Sequence, residues 1–519
     1  MARGVVLLAG QVAALACGLI AGRLLAADGT SPRDDAVRSW VQAHEADVLR
    51  EFRELLSIPN LASDGPNIRR NAEHIARMLA RRGISARLLD GEGGPPVVYG
   101  EVPAPGARRT VVVYAHYDGQ PVDAAKWASP PWTPVLRDGP LEGGGREVSP
   151  DGRAGPMGPE WRLYARSAGD DKAPIVAVLA ALDALKATGA KPSLNLKLFF
   201  EGEEEAGSPH LGAVLARNKE LLKADAWLLC DGPVHQTRRP QIFFGVRGVT
   251  DVEITLYGPA RALHSGHYGN WAPNPAVALA HLVAGLRDTD GRIRVPGFYD
   301  DVRPATTAER LALQSVPEVD DALRRELSLA ETEAGGARLA ERILLPALNV
   351  RGLEAGAVGE GAANAIPVEA RASIDFRLVP NQTPARVREL FESHLRAQGY
   401  TITHATPTLE ARRAQARLVT LAWGAGYPPA RAEMDSPFAR ALVTSVESAV
   451  GPVVRMPTLG GSIPMYLFVE TFGVPVVGLP IANHDDNQHA ANENLRLQNL
   501  WDGTSIFASV LGRLGEEWR

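Results

Sequence analysis

Four short runs of β-branched and aromatic residues in this sequence each lead into a residue able to bind a metal or move a proton. TVVVYAH (110–116) ends in His116-Tyr117-Asp118, and LNLKLFF (194–200) leads into Glu201-Gly202-Glu203-Glu204-Glu205. AWLLC (226–230) leads into Asp231, and VPVVGLP (474–480) into a segment holding His484 and His489. Helix starts lie between them. Asn274-Pro275, Thr383-Pro384 and Ser436-Pro437 each place a cap residue before a proline suited to the first helical turn. Gly399 reads as the C′ glycine of the Thr383 helix. Strands alternating with helices specify an α/β fold with a largely parallel sheet. In such sheets, sites form outside the carboxyl ends of the strands. Four strand ends bringing His, Asp and Glu to one crevice supply the donors that a hard or borderline metal needs.

Composition narrows the metal chemistry further. The only cysteines are Cys17 and Cys230, which excludes a Cys₄ zinc finger, an iron–sulfur cluster and a disulfide framework. A net charge of −5 provides no basic field for nucleic acid. A length of 519 residues exceeds one compact domain.

The N-terminus has Arg3, then an uncharged run from Val5 to Gly22, then Ala26 and Ala27. This is the pattern of a secretory signal peptide over residues 1–27, so an exported protein, periplasmic or extracellular, is expected. The uncharged run is 18 residues long, the lower edge of a membrane span, which makes a retained membrane anchor the alternative. Cys17 fits a lipoprotein signal poorly. With the segment removed, Cys230 is the only thiol.

A second pattern occupies about 247 to 405. It holds DVEITLYG (251–258), the helix after Asn274, EARASIDFRLV (369–379) and the helix after Thr383. Alternating strands with two helices read as a small α+β domain inserted into the larger one. The expected division is a catalytic domain from 34–246 and 406–519, interrupted by 247–405. The Gly- and Pro-rich stretch 141–160 reads as a surface insertion loop.

Taken singly, the polar motifs are ambiguous. His116-x-Asp118 is either a chance pair or an imidazole held by a carboxylate behind a metal. Gly169-Asp170-Asp171-Lys172 reads as a helix start, with Pro174 in the first turn. Glu203, Glu204 and Glu205 repel one another, which a bound dication would relieve. His489 and Glu493, four apart, are expected to share a helix face.

Together the motifs resemble a family of di-zinc metallopeptidases. It includes carnosinase-type dipeptidases, aminoacylase, glutamate carboxypeptidase, and the acetylornithine and succinyl-diaminopimelate deacylases. The resemblance is nearest to the carnosinase-type branch and covers roughly residues 35–519. It is carried by HYDGQPVDAAKWASPPWTPVLRDG (116–139), SAGDDKAP (167–174), EGEEEAGS (201–208) and LHSGHYGN (263–270). FRLVPNQ (376–382), GGSIP (460–464) and HAANEN (489–494) complete it.

The resemblance implies a zinc-exopeptidase-like catalytic domain with a mostly parallel sheet and a smaller lid and dimerisation domain. It implies two Zn²⁺ per subunit, with Mn²⁺ or Co²⁺ able to substitute. His116, Asp170 and Asp231 would hold one, and Asp170, Glu205 and His489 the other, with Asp170 bridging. Asp118 would orient His116, and Glu204 would be the general base. The family's peptide bond between Asp170 and Asp171 is cis. His264, Arg377, Gly460, Gly461 and Ser462 would contact substrate. In carnosinase-type relatives the lid domain forms a symmetric dimer and sends the residue matching His264 into the partner's site. Two departures stand out: Ala173 where the family usually has Gly, and a longer loop at 141–160.

The implied reaction is hydrolysis of the amide bond of a dipeptide or short peptide with a free carboxylate. A hydroxide bridging the metals would attack, with Glu204 taking its proton. Deacylation of N-acyl amino acids by the same machinery is the alternative. A non-catalytic binding protein on this fold is disfavoured, because all five ligands and the base are present. A homodimer is expected, and no nucleic acid.

Overall fold

The structure is a computed structural model that describes residues 31–150 and 155–519. The expected signal segment and Cys17 lie outside the described residues. Among the described residues no helix is long and apolar enough to cross a membrane.

The larger domain is built on an eight-stranded sheet. Its order is Ala86–Leu89, Val97–Val102, Asn195–Glu201, Thr110–His116, Ala226–Leu229, Val476–Gly478, Gln241–Phe243, Val454–Met456. The central neighbours run parallel, while the Ala86 and Val97 strands and the contact between Gly478 and Phe243 are antiparallel. The sheet is thus mixed, with the expected parallel pairing at its centre. Alternation along the strands serves two cores. Val111, Val113, Leu198 and Leu228 pack under the long helices Pro32–Leu56, Lys172–Ala187 and Leu497–Glu517. Val112, Tyr114, Phe199 and Trp227 pack under Leu211–Arg217 and Met465–Phe472. Register brings the ligand-bearing ends level. His116 pairs with Glu201, and Tyr114 pairs with Leu229, two residues before Asp231.

The smaller sheet has the order Ala347–Glu354, Glu369–Leu378, Gly248–Tyr257, Leu418–Trp423, Thr401–Thr403. Its Gly248–Tyr257 strand alternates buried and more open positions, as DVEITLYG predicts. Helices Pro275–Leu286 and Pro384–Ala397 cover one face through Leu279, Leu282, Val387 and Phe391. Gly399 takes φ +84, the C′ conformation expected.

One boundary differs from the sequence reading. The Leu418–Trp423 strand belongs to the small sheet, so the expected return to the larger domain at 406 falls too early. That strand pairs with the central strand of the small sheet, a long-range contact with no local signal. Within the insertion, helix Thr307–Ser315 packs on the Val454–Met456 strand, and Val316 and Ile343 join a core of the larger domain. The expected loop at 141–160 is tied down in its described part. Leu141 N donates to the Tyr164 hydroxyl and Met157 N to Glu45, while Glu160 pairs with Arg496 and Arg238.

Gly478 marks the tightest crossing in the large sheet. A Cβ there would sit 1.9 Å from Cζ of Phe243, a fully buried ring. Gly478→Ala is expected to lower stability by about 3 kcal/mol, the upper range for overpacking a core. Denaturant titration reads this, and an unchanged midpoint would contradict the packing described.

Candidate metal centre

Two groups of potential ligand atoms meet at the carboxyl edge of the large sheet. His116, Asp170 and Asp231 form one, and Asp170, Glu205 and His489 the other, with the atoms of each group within 4.8 Å of one another. Asp170 is common to both. Its Oδ1 lies 3.0 Å from His116 Nε2 and its Oδ2 lies 3.2 Å from His489 Nε2. His489 Nε2 is also 3.2 Å from Glu205 Oε2. These are the two ligand sets implied by the sequence motifs. His484 belongs to neither group, which separates the two histidines that spacing left equivalent.

Local structure explains each placement. His116 ends its strand. Asp170 immediately precedes Asp171, the residue before helix Lys172–Ala187, and the Asp170–Asp171 peptide bond is cis. Glu204 and Glu205 lie in a single 3₁₀ turn after the Asn195–Glu201 strand. The Asp118 carboxylate accepts from the backbone N–H of Glu204 and of Glu205, at 3.1 and 3.0 Å. Its Oδ1 is also 3.3 Å from His116 Nδ1. Asp118 therefore ties His116 to the turn that carries Glu205. Gln488 Nε2 donates to Asp170 and Gln120 Nε2 to Glu205.

The expected helix over His489 and Glu493 is absent. His489 has φ +60 in a turn. Glu493 is fully buried and accepts from the backbone N–H of Ser167, Gly169 and Asp170, each at 2.9 Å. Arg166 Nη1 adds a fourth bond at 2.7 Å. Backbone donors from the bridging loop outcompete a surface pair, and Glu493 becomes the clamp that shapes that loop.

The charges fit a cation-binding site. Burial, and next the charge of Asp170, pushes Asp231 up to about 7. Burial, and next Asp231, holds the Glu204 carboxyl well above its usual range. Asp170 runs the other way. Burial is its largest influence and works upward, but hydrogen bonds from His116 and His489 outweigh it and hold it low. His489 is pushed up to about 10 by its bonds to Asp170 and Glu205. Protonated histidine thus balances the carboxylates. Glu205 Oε1 is buried with no hydrogen-bond partner. Carboxylate oxygens with imidazole Nε2 atoms are the borderline-hard donor set that zinc takes, so these residues fit divalent metal.

Beside the metal residues stands a second cluster. Arg377 Nη1 donates to Ser462 Oγ at 2.9 Å and Arg377 Nε to Asp375 at 3.0 Å. Arg247 Nε donates to Gly460 O at 2.9 Å, and Arg247 N to Gly461 O. Arg247 escaped the sequence reading, although it follows the apolar run IFFGV as the acidic residues follow theirs. Tyr427 was missed as well. It stacks on Tyr466 with ring centroids 5.5 Å apart and lies within electrostatic reach of Glu204, Arg377 and Asp231. His264 is not part of this assembly within the chain. It is exposed in a two-stranded ladder with Ala365–Ile366, its ring against His267.

Comparison with known proteins places these features in context. The model of Peptidase family M20/M25/M40 matches residues 112–513. The chain is 26% identical over 502 residues to the Cys-Gly metallodipeptidase dug1 of Schizosaccharomyces pombe, covering 92% of this chain and 98% of that one. It is 27% identical over 438 residues to the Beta-Ala-His dipeptidase of Homo sapiens, covering 82% and 78%. Among solved structures, the M20 family metallo-carboxypeptidase Sso-CP2 from Sulfolobus solfataricus gives a TM-score of 0.73 at 29% identity, covering 90% and 99%. Human carnosine dipeptidase 1 shares the fold at TM-score 0.72 and 23% identity, covering 94% and 100%.

The geometry distinguishes the two histidines experimentally. His489→Ala should lose about one metal equivalent per chain after dialysis, because one three-donor group keeps only two donors. His484→Ala should retain the wild-type content. Elemental analysis decides, and the reverse pattern would show the second group to be wrongly assigned.

Proposed function

The chain belongs to peptidase family M20/M25/M40, and from that premise we propose that it hydrolyses dipeptides with divalent metal held by His116, Asp170, Asp231, Glu205 and His489. The observation that carries this is the sharing of Asp170 between two three-donor groups, with the buried base Glu204 beside them. Two Zn²⁺ per subunit match the two groups. Metal bound there supplies Lewis acidity, lowering the pKa of water and drawing charge from the scissile carbonyl.

The protein's own residues do the rest. Glu204 takes the proton of the attacking water and returns it to the leaving nitrogen. A carboxylate lifted by burial suits both halves of that transfer, since it holds a proton more readily than an exposed one. Asp118 keeps the imidazole of His116 and the Glu204–Glu205 turn in fixed relation. Arg377 and the Gly460–Ser462 loop hold the substrate's free carboxylate, which confines cleavage to the end of a short chain. The dipeptidase names of the relatives favour peptides over N-acyl amino acids as substrates.

We further propose that the protein is an exported homodimer. The signal-like composition of residues 1–27 supports export, and an intact mass retaining that segment would refute cleavage. The exposed position of His264, outside both donor groups of its own chain, suits a role in the partner's site. There it would donate to the developing oxyanion.

A dipeptide panel and an N-acyl amino acid panel, each with added Zn²⁺, Mn²⁺ or Co²⁺, test the activity. Hydrolysis of N-acyl amino acids alone would replace the dipeptidase assignment. Glu204→Gln should keep its metal and lower kcat by ~10²–10⁴, the usual worth of a general base. Near wild-type turnover in that variant would remove Glu204 from its role.

The trans arrangement has its own test. His264→Ala chains and Glu204→Gln chains, each nearly inactive, are mixed and allowed to exchange. A mixed dimer contains one site with both an intact Glu204 and an intact partner histidine, so random pairing restores about a quarter of wild-type activity. Exchange without recovery, or a fully active monomer, would exclude it.

A further inference from the structure

We propose that Arg247 is a second guanidinium of the carboxylate subsite, and that it sets the preference for an ionised substrate end over an amide. This rests on the dipeptidase assignment and adds to it the residue that reads the substrate's charge.

Register supplies the first argument. Arg377 pairs with Val249 across the small sheet, and Val249 pairs on its other side with Tyr427. Directly opposed residues project to the same face, so Arg377 and Tyr427 share one face with Val249. Arg247 stands two residues before Val249, just ahead of the strand, and its side chain meets the same loop as Arg377. Arg377 reaches Ser462, and Arg247 reaches Gly460. Two guanidiniums thus converge on three consecutive residues.

The second argument is charge. Among the described residues Asp375 is the only carboxylate hydrogen-bonded to this pair, and it bonds Arg377 alone. Arg247 has no carboxylate within salt-bridge distance among the described residues. Two fixed cations with one anion leave a single positive charge uncompensated, in a place that is half-buried. Burial, and next the charge of Arg377, pulls Arg247 down to about 10. An anionic ligand relieves both effects, and one carboxylate restores neutrality.

The third argument is location. Leu459 begins the loop and pairs with Val246, and its Cδ1 lies 3.3 Å from where a Cβ on Gly232 would stand. Gly232 follows the metal-ligand residue Asp231. Tyr427 lies within electrostatic reach of Arg377 and also of Glu204 and Asp231. A Cβ on Gly461 would meet nothing within 4 Å, so the loop opens onto free space there.

The bond from Arg247 to Gly460 also orders the loop, and the experiment must separate that role from charge recognition. Metal-loaded protein is titrated with L-leucine and with L-leucinamide, which differ only at the carboxyl end. Wild type should bind leucine more tightly. Arg247→Gln should weaken leucine about 10- to 100-fold, the worth of a charge-assisted hydrogen bond, and change leucinamide less than twofold. Arg247→Lys should recover part of the leucine affinity.

With the best dipeptide and its C-terminal amide as substrates, Arg247→Gln should raise KM for the free acid with kcat little changed. Equal weakening of both ligands would reduce Arg247 to a support for the loop and overturn the proposal. So would a wild type that binds both ligands alike or neither. If Arg247→Gln does not fold, Arg247→Lys and Arg247→Met are read in the same titration. If no dipeptide is hydrolysed while the leucine preference exists and vanishes in Arg247→Gln, the dipeptidase assignment fails and the subsite stands. Hydrolysis with no such preference gives the opposite result.

Discussion

Four carboxylates, Asp170, Asp231, Glu204 and Glu205, share one buried edge of the large sheet. Ionised groups removed from water cost several kcal/mol each unless something of opposite charge compensates them. Two histidines, with Nε2 atoms 3.0 to 3.2 Å from Asp170 and Glu205, provide part of that compensation. The upward displacement of Asp231 and Glu204 shows that it is incomplete. Divalent metal in the same place would supply the missing positive charge. Such a gathering of acids fits the metal site proposed for these residues. The arrangement of the surrounding loops follows from the need to hold the carboxylates still.

That support comes from a second tier of acids which use backbone N–H groups as donors. Asp118 gathers the amides of Glu204 and Glu205, and Glu493 gathers those of Ser167, Gly169 and Asp170. Each shapes a loop and, through the loop, aims a ligand. Below them the ammonium of Lys172 is fully buried and bonded to Leu55 O, Ile58 O and Asn71 Oδ1. Burial pulls it down to about 7. It ties the start of its helix to the junction between the first two helices. The bridging aspartate is thus fixed from above by Glu493 and from below by the residue two positions later.

The legible parts of the sequence were those in which local pattern and tertiary role coincide. The apolar runs at 110, 194 and 226 could only be central strands, and an acid or imidazole at the tip of such a strand has one crevice to face. Proline-marked helix starts at Asn274, Thr383 and Ser436 held to the residue. What local pattern could not show was set by partners distant in sequence. Glu493 looks like a surface acid until the loop at 167–170 is folded against it. Leu418–Trp423 is a short apolar run whose sheet is decided by pairing with Val252–Leu256. Arg247 lies more than 200 residues from the loop it contacts.

Arg247 also occupies a mechanical position that the metal residues do not. The chain crosses from the larger domain into the smaller sheet at Gly245–Gly248 and returns at Ala430–Arg431, and these crossings pair with each other. Arg247 lies in the outgoing crossing, and its side chain reaches back to Gly460 O of the larger domain. His264, in an exposed ladder of the smaller domain, is carried with that domain. The proposed recognition of the substrate's terminal charge would thus take place at the junction of the two domains. The proposed oxyanion donor, by contrast, stands on the smaller domain, where a second subunit could be reached without passing the junction.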